Sequence, residues 1–117
     1  MPKIFNRQIG FLAEDLAVAT LKEKGYLILE RNFANRFGEI DIIAKDKDIL
    51  VFVEVKAKTG VDFGLPEEMV NKKKLEKIRH MALIYTQGEN LPSRIDIIAI
   101  VFDNNQLLRL THYENVY

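Results

Sequence analysis

Two strand-like segments joined by a short polar turn are the feature that most limits the fold of this chain. The first segment covers Glu39–Ala44, and the second, rich in valine and phenylalanine, covers Ile49–Ala57. The turn between them, Lys45–Asp48, suits a hairpin, so the two strands are predicted to pair antiparallel. If the hairpin loop has an even number of residues, Asp41 lies opposite or diagonal to Glu54 on one face. An odd loop or a β-bulge would remove this pairing.

The remaining elements are predicted from apolar periodicity and turn residues. Helices are predicted over Arg7–Lys24 and from Pro66 to about Gln87, and strands over Tyr26–Phe33, Arg94–Phe102 and, as an optional last edge, Leu107–Tyr113. The second helix is a crossover long enough to bring the next strand back parallel to a neighbour. The order α-β-β-β-α-β predicts an α/β fold, a mixed central sheet with one helix on each face. The length of 117 residues indicates one domain, 1–117.

Composition removes several classes of function. The chain has no cysteine, which excludes disulfides, thiolate zinc sites, iron–sulfur clusters and cysteine nucleophiles. Lys plus Arg and Asp plus Glu both number 17, so the formal net charge is zero and a nucleic acid must be met by a local basic patch. The first residues do not form a signal peptide, and the longest apolar run, Ile97–Phe102, is far shorter than the ~20 residues that cross a membrane. A cytoplasmic protein with no membrane partner is therefore expected.

Charged side chains converge on one hairpin. Glu54 and Lys56 share a strand face, and the hairpin register adds Asp41 to it. Two carboxylates this close repel unless a cation or a proton lies between them, so one of them is expected to have a raised pKa. Magnesium prefers such oxygen ligands, and the lysine could hold an attacking water or neutralise a transferring phosphate. Glu14 on the first helix and Lys74 on the second each interrupt an apolar stripe, so each helix is predicted to point one charge at the sheet.

Each of these features also has a simpler interpretation. A Glu and a Lys two apart on a strand usually form a solvated face, and Asp41 could pair with the lysine without any metal. Glu14 would be a first-turn charge if its helix began later. Arg94 and Asp96 are interpreted as pairing with a neighbouring strand, and His112, like the other histidine, has no partner at metal-ligand spacing. The second helix carries a basic run, which is more often a solvated face than a nucleic-acid site. That run comprises Lys72, Lys73, Lys74, Lys77 and Arg79.

Motifs along almost the whole chain carry a family resemblance. They are Gly10, Glu14, Ala17 and Leu21 before Gly25-Tyr26; Arg31-Asn32; Gly38–Ala44; Val51–Lys56; Phe63-Gly64; Lys74; Ala82; and Arg94-Ile95-Asp96. Together they resemble the bacterial YraN family, which is similar to the archaeal Holliday-junction resolvases of the PD-(D/E)xK nuclease superfamily. The resemblance implies a restriction-endonuclease-like fold.

The resemblance also implies roles for individual residues. Asp41 and Glu54 match the metal-binding carboxylates of the superfamily, and Lys56 matches its active-site lysine. Glu14 matches the first-helix acid that resolvase-like nucleases add to the metal site. Lys74 falls on a lysine position of the second helix.

Two positions depart from the family pattern. Ile40 stands where the superfamily name has proline, and Lys58 stands where many relatives have arginine, whose bidentate fork lysine cannot reproduce.

The predicted function is Mg²⁺- or Mn²⁺-dependent hydrolysis of DNA phosphodiester bonds, with branched or junction DNA as one candidate substrate and a homodimer as the expected assembly for a symmetric junction. The alternative is a protein that binds nucleic acid or a protein partner and cleaves nothing. The residues predicted to contact DNA are Arg36, Lys58, Lys72, Lys73, Lys74 and Lys77.

Overall fold

A computed structural model describes residues 3–59 and 71–116 of the chain. Its elements are α1 (Lys3–Glu23), β1 (Leu27–Asn35), β2 (Gly38–Asp46), β3 (Ile49–Thr59), α2 (Lys72–Tyr85), β4 (Ser93–Asp103) and β5 (Gln106–Tyr113). The predicted start of the second helix at Pro66 lies outside the described residues. No helix among the described residues is long and apolar enough to cross a membrane.

The five strands form one mixed sheet in the order β1-β2-β3-β4-β5. The first three strands are an antiparallel meander, as predicted from their short connections. The α2 crossover returns β4 parallel to β3, and β5 adds the antiparallel edge that the sequence left optional. The predicted α/β fold is therefore confirmed, and the element order is compatible with the restriction-endonuclease-like fold.

The two helices cover opposite faces of the sheet. Side chains alternate along β3, so Val51 and Val53 pack in the core under α1 while Leu50 and Phe52 pack in the core under α2. From α1 the first core takes Ala13, Ala17, Val18 and Leu21, and from α2 the second takes Leu75, Ile78 and Met81. Burial on both faces explains why the central strands are nearly continuous apolar runs.

The β2–β3 hairpin has the even loop on which the sequence argument depends. Asp46 pairs with Ile49, which leaves the two-residue loop Lys47-Asp48, and the register then sets Ile42 opposite Val53. Lys47 adopts a left-handed conformation with φ +56°, as tight hairpin loops require.

The alternation of β2 breaks at Asp41. Ile42 packs in the α1 core, but Ile40, which would share its face in a regular strand, packs in the α2 core. On the neighbouring strand Asn32, between the pairs Arg31–Ile42 and Phe33–Ile40, has φ +54°. The backbone of both strands is therefore irregular beside Asp41, and this irregularity positions the polar side chains described next.

Candidate active site

Asp41 lies where the pairing of β2 with β3 stops. Its Oδ2 accepts a hydrogen bond of 2.8 Å from the backbone N–H of Val55, so the side chain takes the place of a ladder bond between the strands. Burial, together with the charges of Glu54, Glu14 and Glu39, raises the pKa of Asp41 to about 6, although the Val55 hydrogen bond acts to lower it. The raised pKa expected from the sequence is thus found on Asp41.

Glu54 is the buried carboxylate of the group, with 7% of its surface exposed. Its Oε1 lies 2.6 Å from the Nζ of Lys74 and 3.3 Å from the Nζ of Lys56. Burial and the neighbouring Lys74 lower the pKa of Lys56. Burial disfavours the charged form of Lys74, but the hydrogen bonds to Glu54 and Lys56 and the charges of Glu54 and Asp41 together outweigh it, so the pKa of Lys74 is raised. Glu54 is therefore buried rather than solvated, Lys56 beside it is partly exposed, and the lysine from α2 completes the group.

Glu14 approaches the site from α1. The helix begins at Lys3, so Glu14 is not a first-turn charge, and its side chain is only 12% exposed. Its Oε1 accepts hydrogen bonds from Arg31 Nε at 3.1 Å and Asn32 Nδ2 at 3.0 Å. Arg31 also bonds Asp15 at 2.7 Å. The irregular segment of β1 therefore holds Glu14 in place. The sequence alone did not indicate this role for Arg31 and Asn32.

Two cavities adjoin at this site. One of about 290 Å³ lies between α1 and the sheet and is lined by Glu14, Asn32 and Asp41, among others. The second, of about 330 Å³, lies beside α2 and is lined by Lys73, Lys74 and Lys77 among others. Glu39 lines both. An acidic opening and a basic opening therefore meet at the start of β2.

Of the predicted DNA-binding residues, Lys73, Lys74 and Lys77 line the second cavity. Lys72, Lys73 and Lys77 are exposed on α2, Arg36 is exposed at the β1–β2 turn, and Lys58 is exposed near the end of β3. Lys74 differs, because its ammonium is bound to Glu54. Asn71 caps α2 by accepting a 2.9 Å hydrogen bond from the backbone N–H of Lys74, which fixes the first turn of the helix on the sheet.

Three carboxylates provide oxygen donors near the break in β2. The charges of Glu54 and Glu14 both act on Asp41, but among the described residues these three do not form a group whose ligand atoms all lie within 4.8 Å of one another. A cation among them would relieve this repulsion, and hard oxygen ligands favour Mg²⁺ or Mn²⁺.

A second polar cluster joins β4 to the C-terminal end of β5. Ligand atoms of Asp96, His112 and Glu114 lie within 4.8 Å of one another, a spacing that could hold a metal ion. The prediction that His112 has no partner at metal-ligand spacing is wrong, because its Nε2 lies 2.7 Å from Asp96 Oδ2 in the folded chain. The partnership depends on the β4–β5 pairing, which sets His112 opposite Ile98, two residues beyond Asp96.

The guanidinium of Arg94 already provides the positive charge in this second cluster. Its Nε donates to Asp96 Oδ1 at 3.0 Å, and its Nη1 donates to Asp46 at 3.2 Å. Asp96 Oδ1 also accepts the backbone N–H of Asn115 at 2.9 Å. Although burial would raise the pKa of Asp96, the hydrogen bonds from His112, Asn115 and Arg94 keep it lowered. The charge of Asp96 is therefore already compensated by Arg94, as that of Glu54 is by Lys74 and Lys56.

A family model described as "Uncharacterised protein family UPF0102" matches residues 13–100 of the chain. The chain belongs to this family. It is the family that the motifs indicated, since UPF0102 and YraN are one group. The UPF0102 protein of Dictyoglomus turgidum is 40% identical over 116 residues, which cover 96% of this chain and 98% of the relative. That of Caldanaerobacter subterraneus subsp. tengcongensis is 39% identical over the whole of both chains.

A third UPF0102 protein, from Fervidobacterium nodosum, is 46% identical over 117 residues, covering 96% of this chain and 84% of the relative. The span matched by the UPF0102 model contains Glu14, Asp41, Glu54, Lys56 and Lys74 and stops before His112. Family membership establishes no reaction, so the function rests on the site itself.

Proposed function

We propose that the protein is a metal-dependent nuclease that hydrolyses phosphodiester bonds in DNA, with branched or junction DNA as one candidate substrate. The observation that carries the proposal is the charge interaction of Asp41 with Glu54 and Glu14 at the break between β2 and β3, with Lys56 3.3 Å from Glu54. Glu14 completes the acidic group from α1. These three carboxylates would hold Mg²⁺ or Mn²⁺.

A bound divalent ion at such a site polarises a phosphate oxygen and lowers the pKa of a coordinated water. The residues of the chain contribute the rest. Lys56 is placed by Glu54, 3.3 Å away, so its side chain is positioned to hold and orient the attacking water beside the carboxylates. Exposed cations on α2 and at the β1–β2 turn would bind phosphates on either side of the scissile bond. A homodimer would present two such sites to a symmetric junction.

One observation favours the second candidate function, a protein that keeps this fold to bind nucleic acid or a protein partner without cleavage. Glu54 Oε1 contacts two ammonium groups, so this carboxylate is neutralised without a metal. The net charge of zero also provides no general attraction for a polyanion.

A cleavage assay separates the two candidates. Native protein, Asp41→Asn and the control Asp48→Asn, which changes an exposed carboxylate in the hairpin loop, are incubated with duplex, flap and four-way junction DNA in Mg²⁺ or Mn²⁺. Calorimetric titration of each protein with the same ions runs in parallel. The nuclease is expected to bind metal at millimolar concentration or below and to lose binding and cleavage in Asp41→Asn only. Absence of metal binding by the native protein would overturn the nuclease and favour the non-catalytic alternative.

A further inference from the structure

An exposed aromatic ring surrounded by cations lies at the β1–β2 turn. We call this the turn patch; it consists of Arg36, Phe37, Lys73, Lys77 and His80. The Phe37 residue is 41% exposed and lies beside the charged residues Lys73, Lys77 and Glu76. The guanidinium carbon of Arg36 lies over the ring, 4.9 Å from its centroid. The Phe37 and His80 rings pack in a T-shaped arrangement, with centroids 4.7 Å apart and an interplanar angle of 80°.

The backbone holds this ring in a defined place. The N–H of Phe37 donates to Asn35 Oδ1 at 2.8 Å, which closes the turn. Gly38 follows with φ +149°, a conformation that other residues rarely adopt, and a Cβ there would lie 3.4 Å from Met81 Sδ. The turn therefore packs closely against α2, so the exposed ring is presented on a fixed support.

A row of lysines connects the turn patch with the carboxylates. Phe37, Lys73 and Lys77 line a cavity of about 270 Å³ together with Glu76 and His80. The same two lysines line the neighbouring cavity beside Lys74, whose Nζ is 2.6 Å from Glu54. Lys73 and Lys77 are four residues apart, so they share one face of α2 at a separation of about 6 Å along the axis. Two acids, Glu76 and Glu39, also line these cavities, so the positive charge of this surface is confined to the lysine row.

We propose that the turn patch binds an unpaired nucleobase of the strand that enters the active site. The base stacks against Phe37 and the Arg36 plane, and its phosphates contact Lys73 and Lys77. This inference rests on the proposed nuclease function and names its substrate class: DNA with unpaired bases, such as single strands, flaps or opened junctions. Aromatic rings stack on unpaired bases of any sequence, whereas paired bases in a duplex have both faces covered by their neighbours.

The test compares single-stranded and blunt duplex DNA of equal length, bound at low salt in a chelator so that no cleavage occurs. Phe37→Ala is expected to weaken single-strand binding about tenfold, within the range for one stacked base, and to change duplex binding less than twofold. Phe37→Trp is expected to retain single-strand binding because it keeps a stacking face. The control Leu108→Ala removes a more exposed apolar side chain, 57% against 41% for Phe37, from the edge strand β5 and is expected to change neither. Fluorescence of 2-aminopurine in the single strand, quenched by native protein and not by Phe37→Ala, reports the stacking directly.

The outcomes separate this inference from the proposed function. Equal binding by native protein and Phe37→Ala, or equal losses for single strand and duplex, would overturn the turn patch as a base-binding site while leaving metal binding and cleavage intact. Failure of the native protein to bind any DNA, together with failure to bind metal, would overturn both. Matching thermal unfolding of Phe37→Ala and native protein excludes loss of the fold, and Phe37→Leu supplies a second variant that keeps the packing without the ring.

Discussion

At the residue scale, Asp41 is predicted to reduce the stability of the metal-free protein at neutral pH. Its pKa rises from 3.8 to about 6 on folding, so the folded chain binds more protons than the unfolded chain between these values. The stability linked to this group is therefore fully present below pH 3.8 and is lost as the pH rises through 6.

Asp41→Asn should accordingly stabilise the metal-free protein at pH 7.5. The amide oxygen can still accept the Val55 hydrogen bond, and the repulsion from Glu54 and Glu14 disappears. We expect a gain of about 1–2 kcal/mol at pH 7.5, after discounting for solvent at this half-buried group, and almost none at pH 4. Urea unfolding in a chelator at both pH values measures it, with exposed Asp48→Asn as the control. A loss of stability at pH 7.5 would show that the charge of Asp41 is structural.

Lys74 provides the second residue-scale prediction, because its ammonium occupies an oxygen of Glu54 that a metal would need. Lys74→Gln should raise the affinity for Mn²⁺ about tenfold, a change of about 1.4 kcal/mol, since a divalent ion near Glu54 is repelled by the native ammonium. Calorimetric titration measures the effect. Lys73→Gln removes a neighbouring exposed charge and should change the affinity much less. Equal effects of the two variants would mean that only general electrostatics is at work.

At the element scale, the Arg94 network ties the start of β4 to β2, β5 and the segment after α1. Arg94 contacts Asp96 and Asp46, and its guanidinium lies 5.6 Å from the centroid of the Tyr26 ring. Asp96 is fully buried, so Arg94→Met leaves a carboxylate without its main counter-charge. The expected cost is about 3 kcal/mol in the free energy of unfolding. Urea unfolding tests this against Lys45→Met, an exposed cation on β2; a cost below about 1 kcal/mol would show that His112 and Asn115 suffice.

At the element scale, some features of the fold and of the site were predictable from the sequence and others were not. Strand alternation and a polar turn of even length were enough for the hairpin register, and apolar spacing was enough to turn Glu14 and Lys74 towards the sheet. The break in β2 at Asp41 was not predictable, because it depends on the left-handed backbone of Asn32 in another strand and on a side-chain bond to Val55. Similarly, Asp96 and His112 meet only through strand pairing between residues 16 apart. Local patterns carry no information about such contacts.

At the scale of the whole molecule, the net charge of zero means that DNA binding cannot rely on general electrostatic attraction. Seventeen basic and seventeen acidic residues give no long-range pull on DNA, so affinity must come from the few phosphates that reach the turn patch and α2. The acids of the active site repel phosphate until a divalent ion is bound. Binding should therefore be weak in a chelator and should depend on the ion as well as on the salt concentration.

The last prediction concerns the dependence of DNA affinity on salt and on the divalent ion. If Lys72, Lys73 and Lys77 contact about three phosphates, the logarithm of DNA affinity should fall with the logarithm of salt with a slope of about −3 for duplex and about −2 for single strands. Lys73→Glu with Lys77→Glu should flatten the slope by about 2 and weaken binding to all sequences alike, because phosphate contacts carry no base information. The matched control Lys22→Glu with Lys45→Glu makes the same charge change on exposed residues of α1 and β2. Ca²⁺, which fills carboxylate sites, should strengthen native binding and should not strengthen binding by Asp41→Asn. Equal weakening by both double variants would assign DNA binding to overall charge and remove α2 from the interface.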